Sequence, residues 1–542
     1  MNPLESPTPA ATPRTRAKAR HILDNYFIGP ARDPEVLEIW GYTNQISYLP
    51  GDEVVLHVST TATHWSLEVG RDGQDYVPLL KENNIPGGHQ DTPQECSITG
   101  CDWSPSYRFN IPQDWESGGY LITFRAEKDG DQIEEHHLFI LRRSVNEPPA
   151  PFVLICATGT WLAYNCWGGS NFYEGIAGEN ADAPATQVST QRPWTRGFCK
   201  LPEGAPRPVA EVAGDPGSIV RYPYMEWAYA YGYSKKFASA GWASYERHFA
   251  RWAEMQGIDL DFATLHDLEA APELLDRYRC AIFVGHDEYW SANMRHAVDR
   301  FADNGGKLAR FAGNFLWQTR IEDEGRTQVC FKDAFRNDPV FGTDRERLTT
   351  TAWEASPVNW PGAKTFGANA LRGIYAGLGG CVRFGSGGFT VYRPKHWALE
   401  GTFLGFGDQL GSRSQVFGYE VDGVDYQMKK GLPYATGIDG ADPKINILAM
   451  GLATKLESGL SVWGQTEYIG TADAVSFAEA LAGEATEEAL DELTTGNGVM
   501  LHWHKGKGQV FNAATCEWVM GLARRDSQIE RITLNVLNRF GR

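Results

Sequence analysis

No run of about 18 apolar residues occurs in the 542-residue sequence, so none of it has the length of an apolar membrane-spanning helix. Residues 1–20 hold Pro, Thr, Ala and four basic residues but no apolar stretch of the kind a secretory leader requires, which predicts a cytoplasmic protein. Positive charge is scarce: the formal net charge is −18, and a partner such as nucleic acid or an anionic membrane would need a basic surface. Cysteine spacing is sparse as well. Of nine cysteines, Cys96 and Cys101 stand close enough to bridge or to hold half a zinc site, but no second pair or His cluster completes metal spacing. Reduced thiols are expected.

Catalytic signatures are missing too. No Gly-x-Ser-x-Gly occurs; in Gly385-Ser-Gly-Gly388 the serine directly follows the first glycine. No Gly-x-Gly-x-x-Gly follows a strand, so a dinucleotide site is not indicated. A nucleophilic cysteine of the glutamine-amidotransferase kind belongs on a turn just after a central strand, whereas Cys280 stands at a strand's start.

Aromatic residues are plentiful (18 Trp, 22 Tyr, 26 Phe), and the length exceeds one hydrophobic core, so two or three domains are expected. Residues 1–37 read as a flexible arm with a short helix over 21–26. Over 38–145 apolar residues alternate with period two between turn signals, as in Gly119-Tyr-Leu-Ile-Thr-Phe124, which predicts an antiparallel β-sandwich. Asn146-Glu-Pro-Pro-Ala-Pro151 is a linker. Residues 152–542 begin with the apolar strand Phe152–Cys156 and alternate strands with helices, the pattern of a flavodoxin-like or glutamine-amidotransferase-like parallel sheet with β-rich additions. Inside this unit, 168–224 is a long irregular segment of the sort that forms lids or binding loops. Ser244 to Gly257 predicts a helix capped by Ser244, and 499–512 a hairpin before a closing helix from Ser527.

The most informative stretch runs from Cys280 to Asn314. Ala281–Val284 predicts a buried strand, Ser291 an N-cap, and Met294, Ala297, Val298 and Phe301 a helix ended by Gly305-Gly306. Leu308–Ala312 then resumes the sheet, giving a parallel β-α-β unit. His286, Asp287, Glu288 and Tyr289 fall on its strand-to-helix turn, at the sheet edge where ligands of open α/β folds sit. Such a turn also reads as a solvated loop, but the rings of Tyr289 and Trp290 favour a site.

Gly285-His-Asp-Glu-Tyr-Trp-Ser291, Gly305-Gly306, Gly313-Asn314 and Ala163-Tyr-Asn-Cys-Trp-Gly-Gly169 resemble the large (beta) subunit family of N,N-dimethylformamidase. The resemblance runs from about residue 38 onward. It implies hydrolysis of the C–N bond of a small linear amide, such as an N-substituted formamide, at a mononuclear Fe(III) held by two tyrosinates and a glutamate. Tyr289 matches one ligand, and Tyr245, about forty residues upstream at a helix start, the other. Tyr245 also keeps step with Phe249 and Trp252 and reads equally as core. The carboxylate should precede Thr350-Thr-Ala-Trp353, where Glu346 is chosen over Asp344. His286 and Glu288 are the candidate proton-transfer groups. Glu420 and Glu517 stand among aromatics without an assigned role. The family further implies a small helical partner subunit and a homo-oligomer. The rival reading is a carbohydrate- or protein-binding module built on the sandwich and an aromatic cleft, without metal.

Overall fold

The computed structural model describes residues 26–31, 33, 35–176, 183–207, 223–375, 387–453, 458–460, 466–468, 475, 477–479, 481 and 483–542. Residues 21–25 of the helix expected over 21–26, and parts of the segment at 168–224, lie outside them.

From Ile39 to Leu141 the chain forms two sheets. Three antiparallel strands (Ile39–Thr43, Glu53–Thr60 and Tyr107–Asn110) face a sheet whose order is Ser47–Tyr48, Asp131–Leu141, Gly118–Lys128, His64–Asp72, Tyr76–Pro86. The alternation seen in the sequence sends Val54, Leu56, Val69, Ile122, Phe124 and Phe139 into one shared core.

The second region is built on a nine-stranded sheet. Its first five strands in spatial order are Leu260–Thr264, Phe152–Cys156, Cys280–His286, Lys307–Gly313 and Gly508–Asn512, all parallel. Numbered along the chain this is 2-1-3-4-5, the flavodoxin-like doubly wound order; we propose amidotransferase-like topology for the region on that order. Antiparallel strands Gly496–Lys505, Asn446–Ala453, Phe389–Val391 and Gln409–Leu410 extend the sheet. The core strands read as continuous apolar runs because both faces are covered. Leu154, Ile282, Val284 and Phe311 pack with Phe249, Trp252 and Trp518 on one side. Val153, Ile155, Phe283 and Leu308 pack with Leu268, Met294, Val298 and Phe301 on the other.

Local chemistry explains the element boundaries around the key turn. Ser291 Oγ accepts the Met294 N–H at 3.1 Å and starts the helix Ala292–Asp303. Ser244 does not cap its helix. Its hydroxyl donates to the Phe237 carbonyl at 2.6 Å, so Tyr245 occupies the N-cap position of Glu246–Met255 without a side-chain cap. Asp72 joins the two regions, accepting from Trp242 Nε1 and Arg247 Nε at 2.7 Å each. The eight cysteines among the described residues are free and buried. No described helix is long and apolar enough to cross a membrane.

Candidate functional site

In a 2-1-3-4-5 sheet the strand order reverses between strands 1 and 3, and a crevice opens outside their carboxyl ends. Here those ends are Cys156 and His286. Gly285 has φ of +73°, and a Cβ there would fall 2.3 Å from Tyr245 Cβ, so only glycine turns the chain at this point. A Cβ on Gly159, in the helix after strand 1, would fall 2.3 Å from the Tyr289 carbonyl oxygen. The two strand exits are thereby pressed together. Thr160 Oγ1 fixes the turn by accepting the Glu288 N–H at 2.8 Å.

The turn sends successive side chains into two networks. Asp287 pairs with Arg310 (Oδ1 to Nη2, 2.6 Å), and Arg310 Nη1 reaches Asp422 at 2.5 Å. Asp422 also accepts the backbone N–H groups of Asn314 and Phe315. His286 and Glu288 face the other way. His286 Nδ1 donates to the Ser239 carbonyl at 2.8 Å, while Nε2 lies 2.7 Å from Glu420 and 3.3 Å from Glu288. Glu288 accepts from Tyr164 at 2.9 Å, from Tyr173 at 2.9 Å and from Trp317 Nε1 at 2.7 Å. Tyr289 donates to the Tyr173 hydroxyl at 2.7 Å. Asn314 Nδ2 donates to Glu420 at 2.8 Å, and its Oδ1 is buried with no partner among the described residues. Every member from His286 to Tyr289 is at most 2 % exposed.

Burial alone would lower the His286 pKa, but the Glu420 and Glu288 carboxylates outweigh it and raise it to about 9. At neutral pH the ring is therefore an imidazolium. Burial raises Glu288, with His286 opposing and Glu420 adding to the rise. Tyr164, Tyr173, Tyr245, Tyr289 and Tyr419 are all held well above the ordinary phenol value, first by burial, and Glu420 adds to the rise in each. The arrangement is thus a proton-rich, buried acid–base cluster ringed by neutral phenols.

Residues 69–531 match the family described as N,N-dimethylformamidase beta subunit-like, C-terminal. The chain belongs to that family. It is also 22 % identical over 476 residues to the N,N-dimethylformamidase beta subunit of Paracoccus aminophilus, covering 82 % of this chain and 55 % of that one. The chain thus spans about half the length of the curated relative it matches. Bacteroides uniformis beta-glucuronidase 3 gives a TM-score of 0.14 at 14 % identity, over 21 % of this chain and 13 % of that one. The PKD domain of a human VPS10 domain-containing receptor gives 0.13 at 12 % identity, over 27 % and 97 %.

The residues expected from the family resemblance are distributed unevenly. His286, Glu288 and Tyr289 meet in the cluster. Tyr245 flanks it: its hydroxyl donates to the Ala238 carbonyl at 3.2 Å, lies 3.5 Å from Glu517, and its ring carries Arg207 at 4.7 Å. Glu346 lies in the half-buried 3-10 turn Glu346–Leu348, and Asp344 is exposed; neither takes part in the hydrogen bonds or ion pairs of the cluster. Among the described residues no hydrogen bond or ion pair joins the Glu346 carboxylate to Tyr245 or Tyr289. The ligand atoms that do converge are those of His286, Glu420 and Cys516, all within 4.8 Å of one another.

Glu420, Asn314, Tyr173, Trp317 and Cys516 are the members that sequence reasoning left without a site role. Two had a signal. Glu420 stands out as a carboxylate among aromatics, and Tyr173 lies in the long segment read as a binding loop.

Proposed function

We propose that the protein is an amidohydrolase of the N,N-dimethylformamidase type, cleaving the C–N bond of a small linear amide. The observation that carries this reading is the motif Gly285–Ser291 folded into a buried acid–base cluster at the sheet's switch point, in a chain of this family. Glu288, with a raised pKa, takes the proton of an attacking water as its oxygen bonds to the amide carbon. The His286 imidazolium gives its proton to the departing nitrogen as the C–N bond breaks, and Glu420 holds that ring in place. The proton held by Glu288 then passes back to His286, whose Nε2 lies 3.3 Å away, so water and amide become acid and amine and both groups are restored. The phenols of Tyr164 and Tyr173 keep Glu288 oriented, and Trp317 completes its shell.

The family's ferric ion is part of the proposal, with one change of ligand. Glu420 takes the place expected of Glu346, beside Tyr289 and Tyr245. Fe(III) suits hard oxygen donors and supplies Lewis acidity toward a carbonyl oxygen. Burial and Glu420 keep these phenols protonated in the apoprotein, so metal uptake must release protons. Participation of a small helical subunit, as the relative's designation as a beta subunit suggests, belongs to the same proposal.

The test is metal analysis of protein purified without chelators, with a visible spectrum and an amide panel including N,N-dimethylformamide. About one iron per chain, a tyrosinate charge-transfer band lost in Tyr289→Phe, and amine release support the reading. Protein that neither holds nor takes up Fe(III) and releases no amine sinks it in favour of the binding module.

A further inference from the structure

Away from the cluster, a cavity of about 680 Å³ opens where the β-sandwich meets helix Glu246–Met255 and the end of helix Trp518–Ala523. In a chain of net charge −18, six cationic side chains line it against three carboxylates. Four of the six are accounted for. Arg125 and Lys200 share Glu134 at 2.8 and 3.1 Å, Arg247 pairs with Asp72 at 2.7 Å, and Arg207 pairs with Glu517 at 2.6 Å. Arg251 and Arg524 have no carboxylate within ion-pair distance among the described residues. Arg251 Nε donates to the Gln74 carbonyl at 3.2 Å, and Arg524 donates to the Ser414 carbonyl. Arg247 and Arg251 stand four residues apart on one helix, a like-charge spacing that costs stability unless something bridges it.

We propose that this groove binds a small molecule carrying two or more negative charges on phosphate or carboxylate oxygens, gripped chiefly by Arg251 and Arg524. Guanidinium forks pair with such oxygens two at a time, and the cavity has the size of a small-molecule site. His248, which also lines the cavity, adds no charge of its own: burial, then the charges of Arg207, Arg247, Arg251 and Arg524, lower its pKa to about 3. A neutral imidazole leaves the guanidiniums as the recognising groups. Arg207 forms the inner wall and covers the Tyr245 ring, so the groove's floor is one side chain from the candidate site.

The experiment is isothermal titration calorimetry of the full chain with inorganic pyrophosphate and, separately, citrate in metal-free buffer. Arg251→Gln/Arg524→Gln is compared with Lys429→Gln/Lys430→Gln, which removes the same charge from an exposed hairpin elsewhere. We expect saturable one-to-one binding of at least one anion, weakened about tenfold or more in the arginine double variant and unchanged in the lysine control. The anion that binds distinguishes a phosphate from a carboxylate head group. Circular dichroism checks folding, and Arg524→Gln alone, at an exposed helix end, serves if the double variant does not fold. Absence of saturable binding by either anion, equal weakening in both double variants, or full affinity without Arg251 and Arg524 would overturn the proposal.

Discussion

Asp287 and Glu288 are neighbours on one turn, both acidic and both 2 % exposed, yet they belong to opposite kinds of electrostatic region. Asp287 enters a closed network: Arg310 lies between Asp287 and Asp422, with Asn512 and two backbone N–H groups completing the partners. Glu288 enters an open one, where two carboxylates share a single imidazolium and the remaining partners are phenols and an indole. A closed network fixes geometry. Both set two carboxylates against one cation, but the Arg310 guanidinium keeps its proton whereas the His286 imidazolium can give one up. The comparison teaches that the turn is anchored by one side so that the other can be reactive.

The sharpest way to break the comparison is Arg310→Met. It leaves two buried carboxylates without their cation, and loss of one partner of such a pair costs about 3–5 kcal/mol. We expect urea denaturation to show that loss, or the chain to be recovered only as aggregate. Glu420→Gln should separate the regions the other way. Its amide keeps the shape and a hydrogen bond to Asn314 but removes the charge that holds His286 protonated. Stability should fall less than in Arg310→Met, because Glu288 still faces the His286 ring, while amide hydrolysis falls about 10²- to 10⁴-fold, the usual contribution of acid–base groups. Wild-type turnover in Glu420→Gln would remove this cluster from the mechanism.

Much of this division was legible in the sequence. The apolar runs at 152–156 and 280–284 read as strands buried on both faces, the Ser291 cap as a helix start, and the edge holding His286 to Tyr289 as the place for a site. The partners were not legible, because they arrive from far along the chain. Glu420 and Cys516 reach His286 across 134 and 230 residues of sequence respectively, and no local pattern records that closure. Ser244 misled for a related reason: its hydroxyl found the Phe237 carbonyl, a tertiary acceptor, in preference to the helix N-terminus. Glu346 was chosen by its position relative to a family segment, and the structure places it in the half-buried turn Glu346–Leu348.

A third buried carboxylate sharpens the comparison further. Among the described residues Glu246 has neither a cation nor an imidazolium as partner; Oε1 accepts from the Ala157 N–H at 3.0 Å and from Trp161 Nε1 at 3.1 Å, and Oε2 is buried with no hydrogen-bond partner among them. Burial, only partly offset by those donors, raises its pKa to about 7. Because the folded value exceeds the unfolded one, the folded state binds this proton more tightly. Its stabilising contribution is complete below about pH 4.5 and is lost as pH rises through about 7. Glu246→Gln mimics the protonated acid at all pH values. Its advantage over wild type in thermal denaturation should be near zero at pH 4.5 and reach about 3 kcal/mol by pH 8, from 1.36 kcal/mol per unit. An advantage independent of pH would show that Glu246 does not titrate in this window.

The smallest expected effect is also the finest discriminator. The Tyr173 hydroxyl donates to both carboxylate oxygens of Glu288 at 2.9 Å and accepts from the Tyr289 hydroxyl at 2.7 Å, so it links the proton-transfer pair to the proposed metal ligand. Tyr173→Phe deletes that link and little volume. In a closed network such a loss costs about 1 kcal/mol of stability and nothing else. In an open one the Glu288 charge loses a donor, the carboxyl rises further, and the acidic limb of the pH–rate profile moves to higher pH. The two outcomes are separated by measuring kcat/KM against pH alongside a urea midpoint. A stability loss with an unmoved acidic limb would mean that Glu288, like Asp287, only holds the turn.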